Sequence, residues 1–159
     1  RRALGELREQ IDAAADAVRE VAHGLSPRIL SEQGLGPALE ELAAGLPVET
    51  EVNWAGRTGA GAPSPSEEAA EDLYLIASEA ITNAMRHSGC SRIEVDVAPR
   101  DGVVQLTVRD DGAGGATPTG RGVLSMAARA RRLGGTFELV SPDGGPTTVT
   151  VRIPSGGPR

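Results

Sequence analysis

The apolar positions of the chain change period twice. Leu4, Leu7, Ile11, Ala14, Val18, Val21 and Leu25 are spaced alternately three and four apart, which predicts one long helix with a heptad seam. So narrow a stripe asks for a partner helix, with packing on its own domain as the alternative. Gly24 and Pro27 end that helix. A shorter one follows over 34–46, with Leu35, Leu39 and Leu42 on its apolar side and Gly45 and Pro47 as stops. Residues 48–54 alternate as a strand, and the Gly/Ala/Pro-rich 55–65 read as a loop without chemistry. Ser64, Pro65 and Glu67 then read as N-cap, N1 and N3 of a helix running to about His87, its apolar face formed by Leu73, Ile76, Ala77, Ala80 and Ala84. From Arg92 to Ile153 the period falls to two, in four short strands paired through turns at Asp101-Gly102 and Asp143-Gly144, with a helix over 123–133 between the pairs. Helices flanking runs of strands, without strict alternation, argue an α+β fold on a largely antiparallel sheet.

Composition narrows the partners. At 159 residues, 39% apolar and 24% charged, the chain is one domain with room for a helical appendage. A net charge of -6 and 2% aromatic residues disfavour nucleic acid, which wants a basic surface or stacking platforms. One cysteine, Cys90, excludes an internal disulfide and a Cys-based zinc site, as expected of a reducing compartment such as the cytoplasm. No apolar run approaches membrane-spanning length. The start at Arg1, without methionine, reads as a piece of a longer protein, whose parent could be membrane-anchored.

Three stretches carry candidate chemistry. Glu79, Asn83 and His87 lie four apart on one helix face, where a carboxylate, an amide and an imidazole suit a hydrated magnesium ion and phosphates; a solvated helix flank is the alternative. In the strand ending Val108-Arg109-Asp110, period two points Asp110 to the core side, where its carboxylate needs a hydrogen-bond donor such as an adenine amine. Gly112 and Gly114 would let backbone approach a base, although Asp-Gly also marks a plain turn. Gly120-Arg121-Gly122 leads into a helix whose N-terminus is suited to anions. P-loop, dinucleotide-fold and eukaryotic-type kinase signatures are missing.

In order, these stretches resemble the N box and the two glycine boxes of the GHKL ATPase superfamily, and most closely the sensor histidine kinases of the nitrate-sensor and desaturase-regulator type. Glu79 to Ser88 follow Glu-Ala-x-x-Asn-x-x-(Lys/Arg)-His-Ser. Asp110, Gly112 and Gly114 follow Asp-x-Gly-x-Gly, and Gly120, Gly122, Val123, Met126 and Arg129 follow Gly-x-Gly-Leu-x-x-Met-x-x-Arg, with valine for leucine. Leu133 to Thr136 match the family's Leu-Gly-Gly-Thr. The resemblance implies a Bergerat sandwich, a mixed and mostly antiparallel sheet with helices on one face, behind a long N-terminal helix. It divides the chain into the end of a dimerisation helix and its linker (1–30), a catalytic ATP-binding domain (31–155) and a tail (156–159).

By position, the resemblance makes Glu79 the acidic residue that polarises the attacking group or a water, and Asn83 the Mg²⁺ ligand. Arg86 and His87 fall near the phosphates and Asp110 on the adenine amine. Gly112, Gly114, Gly120, Arg121, Gly122, Val123, Leu124, Thr147 and Thr148 flank the nucleotide. It implies ATP and Mg²⁺ as cofactors, phosphoryl transfer to a histidine upstream of Arg1, homodimerisation of the intact protein and a response regulator as receiver. The lid, 115–119, is short, as in this subfamily. Pro146-Thr147-Thr148 departs from the usual Gly-Thr on the phosphate side. His23, followed by Gly24, lacks the acceptor's acidic neighbour and reads as structural, so the chain alone should bind ATP without phosphorylating itself. An anti-sigma-type serine kinase and a non-catalytic, nucleotide-gated dimerisation module are the alternatives. Cys90, Trp54 and Tyr74 read as packing residues, and Glu67, Glu68, Glu71 and Asp72 as acids complementing a helix N-terminus.

Overall fold

The computed structural model describes residues 28–54 and 65–155. The heptad helix with His23, the loop 55–64 with Ser64, and the tail lie outside the described residues. The elements are α1 (Arg28–Gln33), α2 (Leu35–Ala44), β1 (Glu49–Trp54), α3 (Glu67–Asn83), a π-helical turn (Ala84–Ser88), β2 (Arg92–Arg100), β3 (Val103–Asp110), α4 (Arg121–Arg132), β4 (Thr136–Val140) and β5 (Thr148–Pro154).

One five-stranded sheet is formed in the order β1-β2-β3-β5-β4. β1 runs parallel to β2, from Glu49 opposite Arg92 to Trp54 opposite Val97, because α3 carries the chain back between them. All other pairings are antiparallel. The β2–β3 hairpin turns at Asp101 and Gly102, both at positive φ (47° and 81°), as a two-residue turn of matching twist requires. Period two then sorts the sheet. Ile93, Val95, Leu106, Val108, Val149 and Val151 are buried on one face under the helices. The other face is polar, with Arg92 reaching Glu51 and Glu94 (2.6 and 3.3 Å). This is the mixed, mostly antiparallel α+β sandwich expected of the chain.

Several local expectations are corrected. The N-cap of α3 is Ser66, not Ser64: its hydroxyl accepts from the Ala69 N–H at 3.3 Å, so Pro65 stands before the helix and Glu67 and Glu68 fill its first turn. At the other end the α-helix stops at Asn83 and the chain widens into the π turn, closed by Gly89 at φ 64°. The Ser88 hydroxyl donates to the Ala84 carbonyl (2.8 Å). α1 has no counterpart in the sequence reading; its Leu30 joins the core. α4 starts two residues before the expected 123, because Gly120 takes the cap position.

The acidic run of α3 also divides in two. Asp72 does not serve the helix dipole; it is 1% exposed and accepts from Arg129 Nη1 at 2.9 Å and Arg132 Nε at 3.1 Å, tying α3 to α4. Arg132 is held above its ordinary pKa by that hydrogen bond and by the Asp72 charge. Tyr74 is buried, with its phenol pushed up by desolvation and then by Glu41. The indole of Trp54 lies where a Gly36 side chain would be, and its Nε1 donates to Glu40 at 3.3 Å. Burial likewise raises the half-buried Cys90 thiol, as suits a packing residue.

Candidate functional site

A cavity of about 490 Å³ opens where the end of α3, the start of α4 and the adjacent ends of β3 and β5 meet. α3 and its π turn contribute Glu79, Asn83, His87 and Ser88; β3 contributes Asp110; the connection to α4 contributes Gly114 to Thr117 and Gly120; α4 contributes Arg121, Gly122, Val123 and Met126. Leu139 of β4 and Thr147 and Val149 complete the wall. The three stretches singled out in the sequence, far apart in the chain, thus line one space.

Each wall has a local cause. Because Asp110 pairs with Ile93 across the sheet and stands two residues beyond Val108, its side chain falls on the core face and is 4% exposed. Its Oδ1 accepts from the Gly112 N–H at 2.8 Å. The next residue, Asp111, points the other way and caps the start of β2, accepting from the Ser91 hydroxyl (2.6 Å) and from the N–H groups of Ser91 and Arg92 (2.8 and 2.9 Å). Those bonds, the Ser91 hydroxyl first, hold its carboxyl at about 2. Asp111 was missed in the sequence, since only the β2–β3 register shows what lies across from it.

The glycine stretch after Asp110 is shaped by close approach. A Cβ on Gly112 would strike Ser88, whose carbonyl accepts from the Ala113 N–H (2.9 Å). Gly114, at φ 65°, abuts the Pro142 and Gly145 carbonyls, so the β4–β5 turn supports the loop. Ser141 links this turn to the cavity: its hydroxyl accepts from the Ala116 N–H and meets the Thr147 hydroxyl, both at 2.9 Å. The Thr147 carbonyl accepts from the Asp110 N–H at 3.0 Å. Pro146 therefore leaves Thr147 in the wall. On the α4 side a Cβ on Gly122 would collide with the Glu79 carboxylate and stand 3.1 Å from Asn83 Nδ2, so the helix N-terminus lies directly against both.

Of the sequence candidates, Glu79, Asn83, His87, Asp110, Gly114, Gly120, Arg121, Gly122, Val123 and Thr147 line the cavity. Arg86, Gly112, Leu124 and Thr148 stand outside that lining: Gly112 packs under Ser88, Leu124 is 54% exposed on α4, and Thr148 sits in β5 opposite Arg109. Ser88, Ala116, Thr117, Met126 and Leu139 are lining residues that had no nucleotide role in the sequence reading. Among the described residues no group of three or more His, Cys, Asp or Glu could hold a metal. The donor set is instead an amide and a carboxylate beside a helix N-terminus, which fits a hydrated Mg²⁺ that takes its remaining oxygens from phosphates and water.

Residues 68–157 match the family described as histidine kinase-, DNA gyrase B- and HSP90-like ATPases. Sensor histidine kinase MctS of Rhizobium johnstonii is 32% identical over 95% of this chain and 34% of its own length. The nitrate/nitrite sensor protein NarX of Escherichia coli is 34% identical over 95% of this chain and 26% of its own length. The chain thus spans about a third or less of these relatives. In fold it is similar to the blue-light activated histidine kinase of Erythrobacter litoralis EL346 (TM-score 0.66, 18% identity, covering 96% of this chain and 59% of that one). It is likewise similar to the ATP-binding domain of PrrB from Mycobacterium tuberculosis (TM-score 0.55, 24% identity, 79% and 92% covered). With its three motif stretches on one cavity and more than half of its length matched, the chain belongs to the family of histidine kinase-, DNA gyrase B- and HSP90-like ATPases.

Proposed function

We propose that this chain is the ATP-binding catalytic domain of a two-component sensor histidine kinase, with residues 1–30 supplying the end of the dimerisation helix and its linker. The observation that carries the reading is the single cavity in which Asp110 stands at one end and Glu79, Asn83 and the start of α4 at the other. Adenine stacks between Val149, Leu139 and Met126 and donates its amine to Asp110, whose burial makes a missing donor costly. The phosphates lie against the N–H groups of Arg121 and Gly122 and the Arg121 guanidinium, where a helix N-terminus favours negative charge.

Asn83 would hold Mg²⁺ with the phosphates, and that ion, when bound, neutralises their charge. Glu79 orients the attacking group, and His87 faces the same space. In the intact protein the γ-phosphoryl passes to a histidine upstream of Arg1 and then to a response-regulator aspartate, within a homodimer. The protein's part is positioning and charge neutralisation, as in phosphoryl transfer generally. Arg86, Gly112, Leu124 and Thr148 complete the proposed nucleotide set as residues behind the wall or brought in by movement of the lid. No described helix is long and apolar enough to cross a membrane; a cytoplasmic place for this domain, beneath a parent that could be anchored, belongs to the same proposal.

Calorimetric titration of ATP with and without Mg²⁺ tests it. Metal-dependent binding by the wild-type chain, with ADP as product once an acceptor histidine helix is added, is the expected result. Absence of binding at millimolar ATP removes the reading and leaves a non-catalytic interaction module.

A further inference from the structure

Asp72 and its two arginines lie away from the cavity and play no part in the chemistry above, yet the positions of these residues are informative. α3 and α4 are held together at two places. At one, Asp72 receives Arg129 and Arg132; at the other, Gly122 abuts Glu79 and Asn83. Asp72 precedes Glu79 by seven residues, and Arg129 follows Gly122 by seven. The helices are therefore antiparallel, with the ionic contact and the cavity two turns, about 10 Å, apart on both.

The buried face of α4 is Met126, Ala127 and Ala130, and α3 buries Leu73, Ile76, Ala77 and Ala80 among others; Met126 and Ala130 share one core cluster with them. Apolar burial is non-directional. A buried carboxylate receiving two planar guanidiniums sets axial position well, since its geometry is directional and sliding would strand a buried charge. Ahead of α4 the exposed 115–119 stretch is tied to Ser141 by the Ala116 and Gly115 N–H groups, a contact with β4–β5 and not with α3.

We propose that Asp72, with Arg129 and Arg132, is a positioning residue for the nucleotide site: the ionic contact sets the register of α4 on α3 so that the first turn of α4, at Arg121 and Gly122, presents its N–H groups beside Glu79 and Asn83. The inference rests on the nucleotide reading of the cavity. A similar volume of apolar side chains would hold the helices together equally well or better, so the stability of the pair is not what the ionic contact is needed for.

The test measures ATP affinity by calorimetry and stability by thermal melting for the wild-type chain, Asp72→Asn, Arg132→Gln and Leu39→Ala, at a temperature where each is fully folded. Leu39 is 1% exposed in α2, so Leu39→Ala destabilises without touching α4. Asp72→Asn and Arg132→Gln are expected to weaken ATP binding about fivefold, a size typical of residues that couple to a site without touching ligand. Leu39→Ala is expected to bind as wild type despite a lower melting temperature. Should Asp72→Asn fail to fold, Arg132→Gln decides, because Arg132 is 58% exposed and its loss leaves Asp72 paired with Arg129. Wild-type affinity in the clamp variants, with only melting lowered, overturns the inference while leaving the nucleotide site intact. A wild-type chain that binds no ATP overturns both.

Discussion

Asp72 and Asp110 are buried almost equally, 1% and 4% exposed, yet their charges are met differently. Asp72 meets two arginines of the same chain, so its charge is compensated within the fold. Asp110 receives the N–H of Gly112, with no cationic partner among the described residues, and faces a cavity of about 490 Å³. A buried carboxylate answered from inside ties elements of the fold together; under the proposed function, one that faces a cavity is answered by the ligand. Burial by itself does not separate the two, whereas the source of the compensating donors does.

The comparison breaks most visibly through stability. Asp72→Ala leaves two guanidiniums without their carboxylate and is expected to cost about 3 kcal/mol, the lower end of the range for a broken buried pair because Arg132 is half in solvent. Urea denaturation checks it. Asp110→Asn should do the reverse, keeping an acceptor for Gly112 and changing stability little, while weakening ATP binding by about 2 kcal/mol, the scale of a charged hydrogen bond. Unchanged affinity in calorimetry would take adenine recognition away from Asp110.

Gly122→Ala sharpens the contrast from the α4 side. Alanine is the better helix residue, so melting should hold or rise slightly, but the added methyl group displaces the Glu79 carboxylate and ATP affinity should fall by about 1 kcal/mol. The smallest effect concerns the third aspartate. Asp111 has its carboxyl lowered to about 2 from 3.8, so the ionised form is the stabilised one. Its contribution is fully present above about pH 4 and is lost as pH falls toward 2. In Asp111→Asn that part of the acid profile should vanish, and protection of the Ser91 and Arg92 amides, measured against their intrinsic exchange rates, should no longer change with pH in this window.

Much of the fold was legible because its periods are strong. The strands from Ile93 to Ile153 and the face of α3 follow from periods of two and near four, which geometry imposes on any half-buried element. Even the inward aim of Asp110 follows from counting along β3. The cap of α3 was misplaced because Ser64 and Ser66 are equivalent as letters, and only the bond to Ala69 tells them apart. α1 is too short for a period to register, and the π turn has no pattern of its own. At the site, the motif residues were nameable in advance. That Gly112 packs on Ser88 while Gly122 meets Glu79 was not, since both are close approaches between segments distant in sequence.

By itself the sequence determined which faces are buried, where the chain turns and which residue types could serve phosphates, a metal and a base, because these depend on local period and side-chain chemistry. Only the tertiary structure decided that Asp72 belongs to Arg129 and Arg132, that Asp111 caps β2, and that ten of the candidate residues share one wall while Arg86, Gly112, Leu124 and Thr148 stand outside it. The physical reason is that a charge or a glycine takes its role from what is brought against it across the chain, and that is set when helices and strands pack, not when they form.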